Sequence, residues 1–557
     1  MPNLSIDRPN YLARWGYLKA ERSSWFSHWN EISTRLMPRA GRFFVQDRNK
    51  GNKRHNQIYD SSATQALSIL AAGMMSGMTS PARPWFRLTT GDDDDLDSYQ
   101  PVKIWLDQVT RLMLKIFQGS NTYRALHSMY EELGGFGTAA SIMVPDFRSV
   151  IHHHPLTAGE YAITTDWRGD VATLYREFQK TVGQIVKEFG YKACSPTVQN
   201  LYDRGNLEAW VTIIHAIEPR ADRDPSKNDP QNMAWKSVYF EIGGNQQHCL
   251  RESGFKRFPA LVPRWVVRGG DIYGESPAMT ALGDINQLQH QQLRKAQGID
   301  YKTRPPLQAP TSMKNRDVEM LPGGITYVDS ANPHGGIRSA FEVNIDLQHL
   351  LGDIRDVRER IRSCFFADLF TMLANQTDAR MTATEVAERH EEKLLMLGPV
   401  LERLQNELLD PLIENTFDAI MEAGIAPPAP DELQGRPLNV DLIGMLAQAQ
   451  RAVGTNSIDR FVGNLGAVAQ FKPEVLDRFD SDRWAEVYSD SLSLDPQIIV
   501  PRDQAQAIRE QRAQAQAQAQ QAALAEQQAS TAQKLASAKT DQPNALTDAT
   551  RAFQGYS

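Results

Sequence analysis

Apolar residues return at helical spacing along most of this chain, and proline or glycine marks the places where the spacing breaks. Trp15, Leu18, Trp25, Trp29, Ile32 and Leu36 recur three, four or seven apart, predicting one helix over residues 10–37 that Pro38 stops. A basic, glycine-containing stretch follows, with Arg39, Arg42, Arg48, Lys50, Lys53 and Arg54. Asp60 or Ser61 can cap a second helix through Leu67, Leu70 and Met74 to about Met78. Its small residues, Ala63, Ala66, Ala71, Ala72, Gly73, Ser76 and Gly77, allow a neighbour to approach closely. Pro81 and Pro84 end it before a strand at Trp85-Phe86-Arg87-Leu88. Helical spacing resumes over 102–117, and Ser120-Asn121 opens a further helix toward Leu133. Gly134-Gly135-Phe136-Gly137 lacks a preceding strand and the full GxGxxG spacing, so a turn is expected there rather than a phosphate loop.

Between Tyr161 and Ile242 the period changes. Strands are predicted at 162–165 and 171–178 around the turn Trp167-Arg168-Gly169-Asp170, and at 210–217 and 237–242. Gly243-Gly244-Asn245 turns the last of these back toward 248–251, and a short helix occupies 181–189. The first half therefore reads as an α+β body.

From Ser276 onward the pattern describes a projection. Ser276 before Pro277 is a cap followed by a first-turn proline, and the helix runs through Leu282, Ile285, Leu288 and Leu293 to about Tyr301. Pro305-Pro306 forbids its continuation. An insert over 307–343 carries Pro310, Pro322-Gly323-Gly324, Pro333 and Gly335-Gly336, with a strand candidate at 325–328. A second helix over 346–366 has Leu347, Leu350, Ile354, Val357, Ile361 and Phe365 on one face, and Arg355, Asp356, Arg358, Glu359, Arg360 and Arg362 on the other. After the polar loop 374–380, Thr382 and Glu385 form a capping box for a long helix whose stripe runs from Leu397 to Ile420, with kinks predicted at Pro399 and Pro411.

Pro427-Pro428-Ala429-Pro430 is a linker, and a small helical unit is expected over 442–453, 458–471 and 481–490. Residues 504–538 are almost all Gln and Ala without glycine, which favours a long helix in need of neighbours over disorder. The last residues, from Pro543 on, are expected to fray.

Composition narrows the function classes. A chain of 557 residues exceeds what one core supports. Its net charge of −7 is of the wrong sign for a protein that grips nucleic acid broadly through phosphates. Cys194, Cys249 and Cys364 are odd in number and form no CxxC pair, which supports neither a disulfide framework nor a zinc cluster and suits a reducing cytoplasm. Residues 1–11 lack an apolar core of signal-peptide type, and no run of about 18 apolar residues occurs to span a membrane.

Catalytic signatures are missing: GxxxxGK[ST], HExxH and GxSxG do not occur. The acidic run Asp92–Asp95 lacks the alternation and closing glutamate of a calcium loop and reads as solvated. His152-His153-His154 in an extended chain would point to alternate faces, a strand or loop edge rather than a three-ligand metal site. Cys364 falls on the apolar side of its helix, as a packed thiol. No enzyme and no cofactor are expected.

These segments, taken in order, resemble the portal, or head-to-tail connector, proteins of short-tailed bacteriophages. The resemblance is carried by Tyr59-Asp60-Ser61 and Pro84-Trp85-Phe86, by Ser120-Asn121-Thr122-Tyr123 before Gly135-Phe136-Gly137-Thr138-Ala139, and by Gly159-Glu160-Tyr161. It continues with Tyr273-Gly274-Glu275-Ser276-Pro277-Ala278, residues 302–306, and Met381-Thr382-Ala383-Thr384-Glu385-Val386. It implies a mainly helical α+β portal fold assembled as a homo-oligomeric ring, a dodecamer, at one capsid vertex of the virion around a channel for double-stranded DNA. By that resemblance residues 1–275 form the wing, 276–302 and 346–371 the stem helices, 303–345 the clip and 372–381 the tunnel loop. The long wing helix would span 382–426, the crown 427–500, the barrel helix 501–539 and a frayed tail 540–557.

The tunnel loop would present Asn375, Gln376, Thr377, Asp378 and Arg380 to passing DNA, although Arg380 could equally pair with Asp378 or an adjacent subunit. The clip, with Lys314, Arg316, Asp317 and Glu319, would dock the packaging motor (terminase large subunit) and later the tail adaptor or nozzle. Capsid and scaffolding proteins are the other implied partners, with assembly in the host cytoplasm and no membrane. The alternative is another virion structural protein, a tail tube or internal core component.

Overall fold

Trp15 and Tyr175 stack in parallel, which shows how the N-terminal helix and the main sheet share a core. The computed structural model describes residues 8–43, 57–90, 99–224, 226–227, 229–243, 249–309, 311, 314, 337–339, 347–374, 397–433, 438–444, 461–491, 500 and 502–536. The chain divides into two compact units, Met1–Asp97 with Trp105–Gly454, and Ser98–Ile104 with Thr455–Ser557.

The first unit is built on an antiparallel five-stranded meander, β4 (Tyr161–Thr165), β5 (Val171–Thr181), β6 (Trp210–Pro219), β7 (Trp235–Glu241) and β8 (Arg251–Phe255), paired in that order. The strands predicted at 162–165, 171–178, 210–217 and 237–242 are present with shifted ends, ladder bonds carrying β6 out to Pro219 opposite Trp235, while the return expected at 248–251 forms its strand from Arg251 on. One face packs Tyr175, Ile214 and Phe240 against Tyr11, Trp15 and Leu18 of the helix Arg8–Glu21. The other face packs Phe178, Ile213 and Tyr239 against the helices Val182–Phe189 and Pro196–Asp203. Thr181 and Gln184 close a reciprocal capping box at the first of these.

Beside the meander, β2 (Ala140–Asp146) lies between β3 (Val150–Leu156) and β9 (Ala260–Leu261). The histidine run falls on β3: His153 faces inward, while the His152 and His154 rings meet edge-on at 4.9 Å on the opposite face. Finally β1 (Phe86–Thr89) pairs antiparallel with β12 (Asn439–Leu442), register Phe86 to Leu442. Leu442 is therefore a strand residue of the first unit and not the start of a helical one. A segment whose pairing partner lies about 350 residues away shows no local sign of it.

Two further expectations are corrected. The single helix over 10–37 is two, Arg8–Glu21 and Ser23–Arg35. Between them the buried Arg22 side chain turns inward to donate to the carbonyls of Gly159 and Tyr161, with its guanidinium over Trp15 and Phe26. The glycines at 134–137 end the helix Thr122–Phe136 instead of forming a separate turn. Gly137 takes the left-handed cap conformation there (φ +76°).

In the second unit, residues 461–469 are helical, followed by a 3₁₀ turn Pro473–Arg478 and the helices Ser481–Ser491 and Arg502–Ala536. Arg509 of the last helix makes a two-pronged ion pair with Asp482. The Gln/Ala tract is thus one helix of 35 residues, as its propensity predicts. The acidic run 92–95, the strand candidate 325–328 and the chain end from 537 lie outside the described residues.

Candidate channel and docking elements

The projection begins where sequence places it. Ser276 Oγ accepts from the Met279 amide at 3.0 Å and donates to the Gly135 carbonyl at 2.8 Å, with Pro277 in the first turn. The hydroxyl thus caps the helix Pro277–Thr303 and ties it to the C-terminus of Thr122–Phe136. The backbones touch beside it: a Cβ on Gly137 would lie 2.1 Å from the Gly274 carbonyl oxygen, and one on Gly274 would lie 2.3 Å from that of Gly137. No side chain fits at either position.

The helix Leu347–Cys364 returns alongside. Ile354, Val357 and Ile361, with Phe365 just beyond, form its buried stripe, as the spacing predicts. On its polar side Arg360 pairs with Asp284 at 3.0 Å and Arg362 with Asp368 at 3.2 Å.

The two helices are fastened to the body by a knot around Asp60, which the sequence marked only as a possible cap and as part of Tyr59-Asp60-Ser61. Asp60 Oδ1 accepts from the Ser62 amide (2.9 Å) and hydroxyl (2.6 Å), which caps the helix Ser62–Met78 from one position upstream of Ser61. Its Oδ2 accepts from Gln292 Nε2 at 2.8 Å on the outgoing helix and from Arg358 Nη2 at 2.7 Å on the returning one. The buried Gln289 completes the knot, accepting from the Tyr59 and Asp60 amides and donating to the Asp60 carbonyl at 2.8 Å. Burial alone would raise the Asp60 pKa, but the Ser62 hydrogen bonds and the Arg358 charge outweigh it and hold the carboxyl below its usual range. The traceable signal was Gln289 and Gln292, polar and three apart on the flank of an apolar stripe.

At its outer end the hairpin is closed by a two-stranded antiparallel pair, β10 (Leu307–Gln308) with β11 (Arg338–Ser339). The insert thus leaves and re-enters through adjacent strands. Of the docking residues expected there, Lys314 sits in a turn, its amide bonded to the Thr311 carbonyl at 3.2 Å; Arg316, Asp317 and Glu319 lie outside the described residues.

Toward the expected tunnel loop, Phe366 turns the chain with φ +53° and a short helix, Ala367–Ala374, follows. It takes in the first three residues of the segment expected to loop at 372–381. Its Phe370 ring lies on the helix Ser62–Met78, where a Cβ on Gly73 would come within 2.1 Å of Phe370 Cγ. This is the close neighbour that the small-residue face predicted. Asn375, Gln376, Thr377, Asp378 and Arg380, with the Thr382–Glu385 box, lie outside the described residues.

Helical structure is described again from 397, and it meets Pro411 with a π turn, Gln405–Leu409, before the helix Asp410–Glu422. Proline has no amide proton to offer the preceding turn, and the wider turn absorbs the mismatch. The π turn also presents Glu407 to Arg264 in the segment leading to Ser276. Glu407 accepts from the Arg264 amide at 2.8 Å and from its Nη2 at 2.7 Å, and Arg403 adds a bond at 3.1 Å.

Little here suits covalent chemistry. Burial pushes the Cys194 and Cys249 thiols up to about 11, and that of Cys364 up as well. Among the described residues no group of three or more His, Cys, Asp and Glu could hold a metal ion, and no helix is long and apolar enough to cross a membrane.

Comparison with known proteins gives the family. The model of the bacteriophage head to tail connecting protein family matches residues 8–500. A "Probable portal protein" of Bordetella phage BPP-1 is 68% identical over 99% of both chains, and a "Portal protein" of Salmonella phage epsilon15 is 45% identical over 98% of both. A solved chain from the "Virion of native gene transfer agent (GTA) particle" is 12% identical at a TM-score of 0.33, covering 77% of this chain and 99% of that one, a likeness too slight to build on. With a family match from Arg8 to Val500 and relatives this close along nearly their whole length, the chain belongs to the bacteriophage head-to-tail connecting proteins.

Proposed function

We infer that this chain is a portal protein, a structural component of the virion that joins phage head to tail and conducts double-stranded DNA during packaging and ejection. The observation that carries this is the projecting helix pair, closed at its tip by β10 and β11 and gripped at its root by Asp60. Such a projection sets a small module at a distance from the body, as a docking platform requires.

Copies arranged in a ring, a dodecamer, would line a channel with these helices. Residues 276–302 and 346–371 serve as stem, and 303–345 as a clip that docks the packaging motor and then the tail adaptor, with Lys314, Arg316, Asp317 and Glu319 among its contacts. Asn375, Gln376, Thr377, Asp378 and Arg380 line the channel as a tunnel loop. Residues 427–500 serve as crown and 501–539 as barrel helix, and the capsid and its scaffold hold the assembly at one vertex. An acidic overall balance, a net charge of −7 for the chain, suits a channel that lets a polyanion pass without retaining it.

Electron microscopy of the purified chain tests this. Class averages down the symmetry axis should show a twelve-fold ring with a central hole; fibres or unrelated shapes would overturn the assignment. Deletion of residues 375–379 should leave the ring intact while DNA packaging or retention fails. Loss of the ring itself would make that segment core structure.

A further inference from the structure

On the sheet face that packs against the helices Val182–Phe189 and Pro196–Asp203, a row of cationic and aromatic side chains crosses four strands. Arg176 on β5 stands opposite His215 on β6, His215 opposite Tyr239 on β7, and Tyr239 opposite Arg251 on β8. Directly opposed residues share a face, so these four side chains form one row. The inner pair is buried, with the His215 ring stacked on Tyr239 at 3.8 Å. His215 Nε2 meets Ser237 Oγ at 2.9 Å, while Nδ1 is buried with no hydrogen-bond partner among the described residues. The two arginines end the row three strand spacings apart, roughly 14 Å at about 4.8 Å per spacing. Lys180 lies on the same face of β5, four residues along from Arg176.

Aromatic rings hold these cations in place. Arg176 sits 4.5 Å from the Phe178 ring, Arg251 4.8 Å from Tyr239 and 5.3 Å from Phe189, and Lys180 5.8 Å from both phenylalanines. A guanidinium stacked on a ring keeps its N–H edge available to an acceptor. Counter-charge is scarce. Lys180 pairs with Glu188, but among the described residues no carboxylate lies within 4.0 Å of Arg176 or Arg251. The connection from β7 to β8, residues 242–250, contains no acidic residue. After burial, the charges of Arg176, Arg251, His154 and Lys180 hold His215 neutral, and Arg176, His152 and Lys180 do the same to His154 despite Glu188. Glu160, which is shared with Arg42, and Glu188 are the carboxylates that act on these cations, and Arg251 has no carboxylate within 4.0 Å among the described residues.

We propose that the cations at the two ends of this row, Arg176 with Lys180 and Arg251, bind the phosphates of a nucleic-acid backbone that spans the helix end at Phe189 between them. Two guanidiniums and an ammonium concentrate more charge than Glu188 and the shared Glu160 neutralise, and their separation exceeds the size of a single oxyanion. The surface involves neither residues 375–380 nor ring formation. It rests on the portal assignment only for the choice of duplex DNA as ligand.

The test is binding of a short fluorescent DNA duplex to the full chain, followed by anisotropy across a salt series. Arg176→Gln with Arg251→Gln should weaken binding about tenfold at low salt and reduce the slope of log K against log salt by about 2, one unit for each phosphate no longer neutralised. Arg176→Lys with Arg251→Lys should keep most of the slope, and Arg268→Gln, an exposed arginine paired with Glu275, should change nothing. Thermal melting confirms that each variant is folded. An unchanged slope in the double glutamine variant overturns the proposal. So does a surface that binds a hexaglutamate peptide in an arginine-dependent way while ignoring DNA. Displacement of the duplex by millimolar inorganic phosphate at matched ionic strength would support the phosphate chemistry and identify the free ion as a competing ligand. Failure of the portal assignment is read separately, by microscopy, since absence of a ring leaves the slope comparison unaffected.

Discussion

Glu132 illustrates how far a single side chain departs from its solution behaviour here. It is buried between the helix Thr122–Phe136 and the segment after β3, where it accepts from Thr157 Oγ1 at 2.7 Å and the Ala158 amide at 3.0 Å. Burial pushes its pKa up to about 7; the two hydrogen bonds oppose the shift, and the nearby Glu160 and Glu131 add to it. A carboxyl whose folded pKa is raised contributes stability that is complete below its unfolded pKa and is lost as pH rises through the folded one. Native stability should therefore fall between about pH 4.5 and pH 7 by on the order of 1 kcal/mol per pH unit from this group. Glu132→Gln keeps both contacts, with the amide oxygen accepting from Ala158 and the amide nitrogen donating to Thr157. It should flatten that slope and leave the variant the more stable at pH 8. Denaturant midpoints at pH 5 and pH 8 for the two proteins would check this, and parallel pH profiles would show that Glu132 is ionised when folded.

Among the elements, packing between helices is governed by two contacts that the sequence signalled unequally. The small-residue helix announced a close neighbour, and the neighbour is Phe370 at Gly73. Gly73→Val should destabilise by about 1–3 kcal/mol through overpacking, even though glycine is a poor helix former. Phe370→Ala in the same chain should recover part of the loss, a coupling that a double-mutant cycle of unfolding free energies reads directly. Glu407 gave no comparable sign. Its role depends on a π turn and on Arg264, 143 residues away. Removing it leaves a buried guanidinium without its carboxylate, and Glu407→Ala should cost about 3 kcal/mol or more in chemical unfolding.

The same contrast accounts for what was legible. Ser276-Pro277 and the stripe Ile354, Val357, Ile361 are local patterns and fold as written. The break at Arg22, the pairing of β1 with β12 and the Asp60 knot are settled by residues far away in sequence. The histidines of β3 carry little strand propensity, and their ladder to β2 decides their state.

At the scale of the whole molecule, the helix Arg502–Ala536 poses the last question. Its described side chains are exposed in the single chain apart from the half-buried Ala505, and Ile508 and Leu524 stand in solvent. A helix of this length rich in alanine can persist alone, but tertiary packing supplies most helical stability in proteins, and here there is little of it. In a ring, parallel copies of this helix would lie side by side and provide the missing neighbours. The first unit, by contrast, contains its own cores and the Asp60 and Glu407 anchors. Truncation after Pro501 should therefore leave the ring assembled, with sedimentation changed only by the missing mass. Difference circular dichroism between the full and truncated rings should show the signal of about 35 helical residues, and dissociation of the full ring should diminish it. A monomer after truncation would reverse the order of dependence. It would make the Gln/Ala helix the element that drives assembly, with the stem and wing held together through it.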